Sequence, residues 1–190
     1  MPKARRGIEM KVLAISASPR DGGNSDVLCD QFLKGAKELG HQTEKISLRC
    51  ENISPCDACY KCGKTKSCVK KDDMEKMLQK LIETDVIVLA TPVYFYSMSA
   101  QMKTFIDRCL PRYTEIKGKA FYYIITAADP QHSAADETIA GLRGFLRCLP
   151  GAQEKDIIYG TGTWDMNDVY QHPAYEKAYE LGRKCVGKEM

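Results

Sequence analysis

The sequence lacks an apolar run long enough to cross a lipid bilayer. Its longest apolar stretch, residues 86–96, is interrupted by Thr91 and Pro92, whereas a membrane-spanning helix needs about 20 apolar residues. The basic residues 1–9 are not followed by the apolar segment of a secretory signal. We therefore expect no membrane association, and we interpret residues 1–9 as a disordered extension.

The sequence also has little excess of charge of either sign. Its 28 Lys and Arg residues against 25 Asp and Glu residues leave a formal net charge of +3, far from the basic excess typical of proteins that bind phosphate backbones. It contains no internal repeat and no linker rich in Pro, Gly or Ser. These features argue against nucleic-acid binding and predict a single domain over residues 10–190.

Cysteine, by contrast, is abundant and unevenly distributed. There are nine cysteines, and four of them lie within the 13 residues 56–68. An odd number of cysteines without an export signal favours a reducing cytoplasm, in which thiols bind metal or pack in the core. We interpret residues 50–71, which show no helical or strand period, as a Cys-rich insertion loop, because loops of this length in compact domains usually serve a function.

Short apolar segments alternate with helical patterns along the chain. Strands are predicted at residues 11–16, 43–48, 86–91, 120–126 and 155–160, the second and the last nearer the sheet edges because they alternate polar with apolar residues. Apolar stripes at helical spacing follow them at residues 28–39, 74–82, 102–110, 139–149 and 174–185. This pattern predicts an α/β fold of three layers with a doubly wound, five-stranded parallel sheet.

The loop after the first predicted strand has the composition of a phosphate-binding site. Its potential ligands are the hydroxyls of Ser16, Ser18 and Ser25, the Arg20 guanidinium and the backbone at Gly22 and Gly23. A helix that starts there would favour an anion. These groups together predict a site for one terminal phosphate. The loop has neither the G-K-[ST] of a P-loop nor a G-x-G-x-x-G dinucleotide motif, which disfavours nucleoside triphosphates and classical NAD binding. The alternative is an ordinary turn with Asn24 or Ser25 as the helix N-cap.

The loop after the third predicted strand contains an aromatic segment. Residues 92–96 read PVYFY, which can form an apolar wall with inward-facing N–H groups. With the strand order 2-1-3-4-5, this loop lies beside the first one. A phosphate site beside a flat aromatic slot predicts FMN as the cofactor.

Nearly the whole chain, from KVLAISASPR at residue 11 onward, resembles the flavodoxin-like family of NADPH-dependent FMN reductases and multimeric flavodoxins. The matching motifs are S-x-S-P-R-x-x-x-N-S at residues 16–25 and P-V-Y-x-x-S-M-S-A-Q-M-K-x-F-I-D-R at residues 92–108. The resemblance implies a flavodoxin-like fold and noncovalent FMN, with the chemistry on the flavin and no catalytic side chain. The FMN-binding residues it implies are Ser16, Ser18, Pro19, Arg20, Gly23, Asn24 and Ser25 at the phosphate and ribityl chain, Pro92, Val93, Tyr94 and Phe95 at the isoalloxazine, and Thr126 and Ala127 after the fourth predicted strand. At residues 127–130 the chain has AADP, where the family often has a glycine-rich turn.

The clustered cysteines have the spacing C-x2-C-x2-C-x5-C over residues 56–68. Three thiolates spaced by two residues, with a fourth a few residues later, can hold one iron-sulfur cubane. Structural zinc usually separates two C-x2-C pairs by a longer span and is the weaker interpretation; a thiol-rich flap without metal is the other. The spacing resembles that of the iron-sulfur flavoproteins, a branch of the same family with a 4Fe-4S cluster beside FMN, in which case Cys56, Cys59, Cys62 and Cys68 are the ligands.

Together these features predict a cytoplasmic, FMN-dependent oxidoreductase in which a 4Fe-4S cluster passes single electrons to or from FMN. Two other functions stay open: a metal-free NAD(P)H-dependent reductase of flavin, quinone or another small acceptor, and a non-enzymatic sensor whose thiols respond to oxidation. The predicted partner is a small-molecule or ferredoxin-type electron donor or acceptor. The resemblance and the aromatic residues 94–96 also predict a homodimer or a tetramer built from dimers.

Overall fold

A mostly parallel sheet with helices on both faces forms the core of the computed structural model, which describes residues 9–185. Its strands are β1 (Lys11–Ser16), β2 (Gln42–Ser47), β3 (Val86–Tyr94), β4 (Ser97–Met98), β5 (Ala120–Ala127) and β6 (Gln153–Thr161). The order is β2-β1-β3-β5-β6 with parallel neighbours, and the two-residue β4 pairs antiparallel with the end of β3. The predicted flavodoxin-like sheet and its order are confirmed, since β4 only shifts the numbers of the last two strands.

The helices occupy the predicted segments, with two corrections. They are α1 (Asn24–Glu38), α2 (Cys62–Thr65), α3 (Met74–Glu83), α4 (Ala100–Asp107), α5 (Asp136–Arg147) and α6 (Pro173–Lys184). Helix α4 ends at Asp107, not at Leu110, because Pro111 disfavours a helical conformation in the residue before it. The Cys-rich segment, predicted without helix, contains the single turn α2, which ends where Lys66 adopts a left-handed conformation with φ of 58°.

Two hydrophobic cores lie on opposite faces of the sheet. In β1, Leu13 and Ile15 belong to the core that also contains residues of α3, α4 and α5, whereas Val12 and Ala14 belong to the core with residues of α1 and α6. The alternation follows from the two-residue period of a strand, and burial on both faces explains why the central strands are apolar almost throughout. The result is the predicted three-layer arrangement.

Some sequence predictions fall on residues that the structure does not describe. Residues 1–8 of the predicted extension and residues 186–190 of the predicted domain lie outside the described range. Among the helices of residues 9–185, none combines the length and the apolar character that a bilayer crossing requires.

The topology opens a crevice at the carboxyl edge of the sheet. Strands β1 and β3 are neighbours, yet the chain leaves β1 for α1 on one face and leaves β3 for α4 on the other. Connections that diverge in this way form the switch point at which doubly wound sheets bind ligands.

Candidate functional site

The loop between β1 and α1 is a compact turn built around Ser18. The Ser18 Oγ accepts a hydrogen bond from the Arg20 N–H at 3.2 Å and donates one to the Arg20 carbonyl at 2.9 Å. Gly23 is the N-cap of α1, and no side chain caps this helix. A Cβ at Gly23 would stand 2.5 Å from the Ser18 Oγ, so a larger residue would displace the Ser18 side chain. The uncapped N–H groups at the start of α1 suit an anion from outside the loop.

Two predicted hydroxyl residues are in contact near this loop, and a third is buried at the end of β1. The Oγ of Ser25, in the first turn of α1, lies 2.7 Å from the Oγ1 of Thr126 at the end of β5. Ser16, the last residue of β1, is fully buried, and its Oγ has no hydrogen-bond partner among the described residues. A buried hydroxyl without a partner costs free energy unless a ligand or a water satisfies it, and this one belongs to the predicted phosphate site.

A segment that the sequence left unexplained packs against the same loop. The Arg20 guanidinium donates to the carbonyl of Trp164 at 3.2 Å, and the Asn24 side chain donates to the carbonyl of Asp165 at 2.9 Å. The Asp168 carboxylate accepts from the N–H groups of Trp164 and Asp165 and holds their loop in shape. The loop after β6 is therefore part of the site, a role that only the contacts across more than 140 residues reveal.

The aromatic segment after β3 forms a two-residue hairpin turn. Tyr94 pairs with Ser97, and between them Phe95 and Tyr96 both adopt left-handed conformations, with φ of 49° and 61°. Two positive φ angles indicate a type I′ turn, which normally carries Asn or Gly. The Phe95 side chain is fully exposed at 102% and Tyr96 is 60% exposed. Strain of this kind and bare aromatic surface mark a place where a ligand or a partner acts.

Hydrogen bonds hold the two loops side by side. The Ser99 Oγ, which caps α4, donates to the carbonyl of Ala17 at 3.1 Å, and the Ser99 N–H donates to the Thr91 Oγ1 at 3.0 Å. The Ala17 N–H also donates to the carbonyl of Ala90 at 2.8 Å. The remaining predicted residues lie on the same edge: Pro19 is exposed, Pro92 and Val93 are half-buried, and Ala127 is buried and accepts from the Thr163 N–H.

The four clustered cysteines line one pocket. Cys56, Cys59, Cys62 and Cys68 surround it together with Arg108 from the end of α4. Ala58, between Cys56 and Cys59, adopts φ of 51° and donates its N–H to the Cys56 Sγ at 3.4 Å, and Tyr60, just after Cys59, adopts φ of 55°. Cys56 and Cys59 are exposed on this bent segment, whereas Cys62 and Cys68 are half-buried.

A buried ion pair between Arg108 and Asp72 connects both ends of the cysteine loop to the rest of the fold. This pair was not predicted from the sequence. Arg108, 2% exposed, makes two parallel hydrogen bonds to Asp72 at 2.7 and 2.8 Å and donates to the carbonyl of Ser54. Its hydrogen bonds hold the pKa of Asp72 below the usual value. Those to Asp72 raise the pKa of Arg108, and the sulfur of Cys68 adds to the rise.

Further hydrogen bonds close the base of the loop. The Asp73 carboxylate accepts from the Asn52 N–H at 2.7 Å, and the Asp73 N–H donates to the Asn52 carbonyl at 3.1 Å. Residues 72–75 have the D-x-x-E pattern of a helix cap. Asp72 accepts from the Met74 N–H at 3.3 Å, as this pattern predicts, whereas the Asp73 side chain makes no capping bond.

The donor set of the cysteine pocket is that of an iron-sulfur site. Four cysteines line it together with the buried Arg108, and thiolates are the usual ligands of such clusters. Within residues 9–185, however, no three His, Cys, Asp or Glu side chains are arranged to hold a metal ion.

Comparison with known proteins identifies the family. A profile of NADPH-dependent FMN reductases matches residues 10–152. The chain belongs to this family of FMN reductases. An iron-sulfur flavoprotein of Archaeoglobus fulgidus is 39% identical over 179 residues, which cover 93% of this chain and 79% of that protein. Other iron-sulfur flavoproteins match over about half of their own length.

Two further relatives extend the FMN reductase comparison. A protein of Bacillus subtilis, named as a candidate NAD(P)H-dependent FMN-containing oxidoreductase, is 30% identical over 182 residues, covering 90% of this chain and 96% of that protein. The solved structure of an NAD(P)H:quinone oxidoreductase from Methanothermobacter marburgensis superposes with a TM-score of 0.74 at 16% identity, covering 93% and 96% of the two chains. The structural match supports the fold, and the sequence matches make this FMN reductase family member an oxidoreductase.

Proposed function

We propose that this chain is an FMN-dependent electron-transfer oxidoreductase that carries one 4Fe-4S cluster on its cysteine loop. The observation that carries the proposal is the convergence of Cys56, Cys59, Cys62 and Cys68 on one pocket. It is supported by 39% identity to a protein named iron-sulfur flavoprotein over 93% of the chain.

The residues of the three carboxyl-edge loops suit FMN. The uncapped start of α1, the Ser18 turn and Arg20 would hold the phosphate, and the orphan hydroxyl of Ser16 offers a further hydrogen bond. Asn24, Ser25 and Thr126 would orient the ribityl chain. The segment Pro92 to Phe95 and Ala127, at the ends of neighbouring strands, would contact the ring and keep water from it. The bound flavin supplies both hydride and single-electron chemistry, and the protein positions and tunes it.

Residues next to both proposed sites line one cavity. This cavity, of about 370 Å³, is lined by Pro19 of the phosphate loop, by Pro55, which precedes Cys56, and by Thr104 of α4. Under the proposal, electrons pass between the flavin loops and the cysteine loop on this side of the chain.

A metal-free reductase is the alternative, in which FMN takes hydride from NAD(P)H and reduces a small acceptor. The relative from Bacillus subtilis, which carries an NAD(P)H-dependent name and aligns over 90% of this chain, favours it. Cys56 and Cys59 are also exposed to solvent, as free thiols can be.

The visible spectrum and iron content of protein purified without oxygen separate the two functions. We expect about four irons per chain and a broad absorbance shoulder beside the flavin bands. The substitution Cys59→Ser should abolish the iron and leave FMN bound, because Cys59 lies outside the flavin loops. Its matched control is Cys148→Ser, which changes an exposed cysteine at the end of α5. Wild-type protein with FMN and no iron would establish the metal-free reductase.

A further inference from the structure

The cysteine pocket contains a buried cation with spare hydrogen-bonding capacity. Arg108 is only 2% exposed, and its side chain lines the pocket together with all four clustered cysteines. Two of its nitrogens serve Asp72 and Ser54. The third, Nε, is buried and has no hydrogen-bond partner among the described residues. Burial of an N–H without a partner costs free energy, so this position favours a ligand-bound state that satisfies it.

Arg108 also holds the loop at both ends. Ser54 lies two residues before Cys56, and Asp72 lies four residues after Cys68. Asp72 accepts from the Ser54 N–H at 3.1 Å as well as from the guanidinium. One buried cluster of hydrogen bonds therefore fixes the entry and the exit of the cysteine segment relative to α4.

We propose that Arg108 is a positioning and charge-balancing residue for the cluster site: its fork to Asp72 and Ser54 fixes the cysteine loop, and its remaining N–H serves the Cys68 thiolate. The inference rests on the proposed function. Hydrogen bonds to the cluster sulfurs and nearby charges set the reduction potential of an iron-sulfur cluster. Removal of a residue that hydrogen-bonds to a metal ligand typically lowers metal affinity by roughly 10- to 100-fold. No electron passes through Arg108; it stabilises the more negative, reduced form of whatever iron-sulfur group the thiolates hold.

The test replaces the whole pair, because removing Arg108 alone would leave a buried carboxylate without its partner. The double variant Arg108→Met, Asp72→Leu keeps the volume and removes both charges. Its matched control is Arg143→Met, Glu154→Leu, which removes another pair with two hydrogen bonds, at 2.8 and 2.7 Å, that does not line the cysteine pocket. Both variants and wild type are reconstituted with ferrous iron and sulfide under argon. FMN binding by fluorescence and the melting temperature report the fold.

We expect the Arg108 double variant to bind FMN like wild type, to release iron to a chelator roughly 10- to 100-fold faster, and to have a lower cluster potential by redox titration. The control should match wild type in all three measurements. A cluster potential equal to that of wild type overturns the inference, even if iron release is faster, because the pair would then be only a structural clamp.

If the double variant holds no cluster, the potential is measured in Arg108→Lys. Lysine keeps the charge pair with Asp72 but has one nitrogen for all its partners. An unchanged potential in that variant overturns the inference, and a lower one supports it. Absence of iron from the wild type itself would instead refute the proposed function, so the two failures are distinguishable.

Discussion

At the scale of single residues, the candidate site contains polar groups that lack some of their hydrogen-bond partners within the protein. The Ser16 hydroxyl and the Arg108 Nε are buried without partners in the described chain. The exposed Arg20 guanidinium donates to a backbone carbonyl, that of Trp164. Ser16 and Arg20 could be predicted from the sequence, because a hydroxyl and a guanidinium beside a glycine pair are typical of phosphate binding. Arg108 could not, because its role depends on a contact with Asp72, which is 36 positions away in the chain.

Arg20 should discriminate between flavins that differ by a phosphate. We expect Arg20→Ala to weaken FMN binding by roughly tenfold to a hundredfold, since a hydrogen bond to a charged group contributes about 1.5–3 kcal/mol. Riboflavin, which lacks the phosphate, should bind nearly as before. Fluorescence titration of both flavins measures this, with Arg147→Ala as an exposed control at the end of α5. Equal losses for FMN and riboflavin would contradict the assignment of the phosphate site.

At the scale of elements, the strands and most helices follow from periodicity, whereas the turns of the site do not. The parallel strands are buried on both faces and so read as apolar runs. The extension of β3 to Tyr94 and the hairpin to β4 could not be predicted, because Phe95 and Tyr96 are not the Asn or Gly that such a turn normally contains. The cysteine spacing predicted a common pocket, but the left-handed backbone at Ala58 and Tyr60 that forms it leaves no signal in the sequence.

Removing the backbone strain of this hairpin should raise the stability of the protein and lower its affinity for FMN. We expect the double variant Phe95→Asn, Tyr96→Gly to raise the free energy of unfolding of the FMN-free protein by roughly 1 kcal/mol, since both residues suit a type I′ turn. FMN affinity should fall because the aromatic wall is lost. Urea unfolding and flavin titration measure the two effects.

The control is Phe95→Ala, which removes the ring but keeps a side chain in a left-handed position. It should weaken FMN binding without the gain in stability. An unfolding midpoint of the double variant at or below that of the wild type would show that the turn is unstrained.

At the scale of the whole molecule, two surfaces beside the proposed sites point to partners. Tyr94, Phe95 and Tyr96 on the hairpin, and Trp164 on the loop after β6, are large exposed side chains on the loops of the proposed flavin site. We expect a second copy of the chain to cover part of this surface. Light scattering of the flavin-loaded protein should give two or four times the chain mass of 21.3 kDa, and Phe95→Ser should lower it. A wild-type mass of a single chain at micromolar concentration would exclude the assembly.

The second surface is basic. Lys61, Lys64 and Lys71 are exposed on the cysteine loop, whereas Lys70 is engaged with Asp57 at 2.8 Å. The chain as a whole is only mildly basic, so this local excess of charge suits an acidic electron carrier of the ferredoxin type.

Changing these three lysines to Gln should slow reduction by such a carrier at low salt and have little effect at high salt, since charges are screened over about 8 Å at physiological salt. The matched control changes Lys34, Lys37 and Lys184 to Gln, on α1 and α6. Reduction by dithionite, which needs no docking surface, should be equal in all variants. If the variant and the wild type are reduced by the acidic carrier at equal rates at low salt, these lysines do not form a docking surface.

The two hydrogen bonds between Asn52 and Asp73 make the cysteine loop a separable cassette. Because they hold the ends of the segment together at the start of α3, the loop between residues 55 and 71 can differ in length at small entropic cost, since the entropy of closing a loop grows only slowly with its length. Ser54 and Asp72 mark the limits of that freedom, because a shorter loop without them would leave the buried Arg108 guanidinium unpaired.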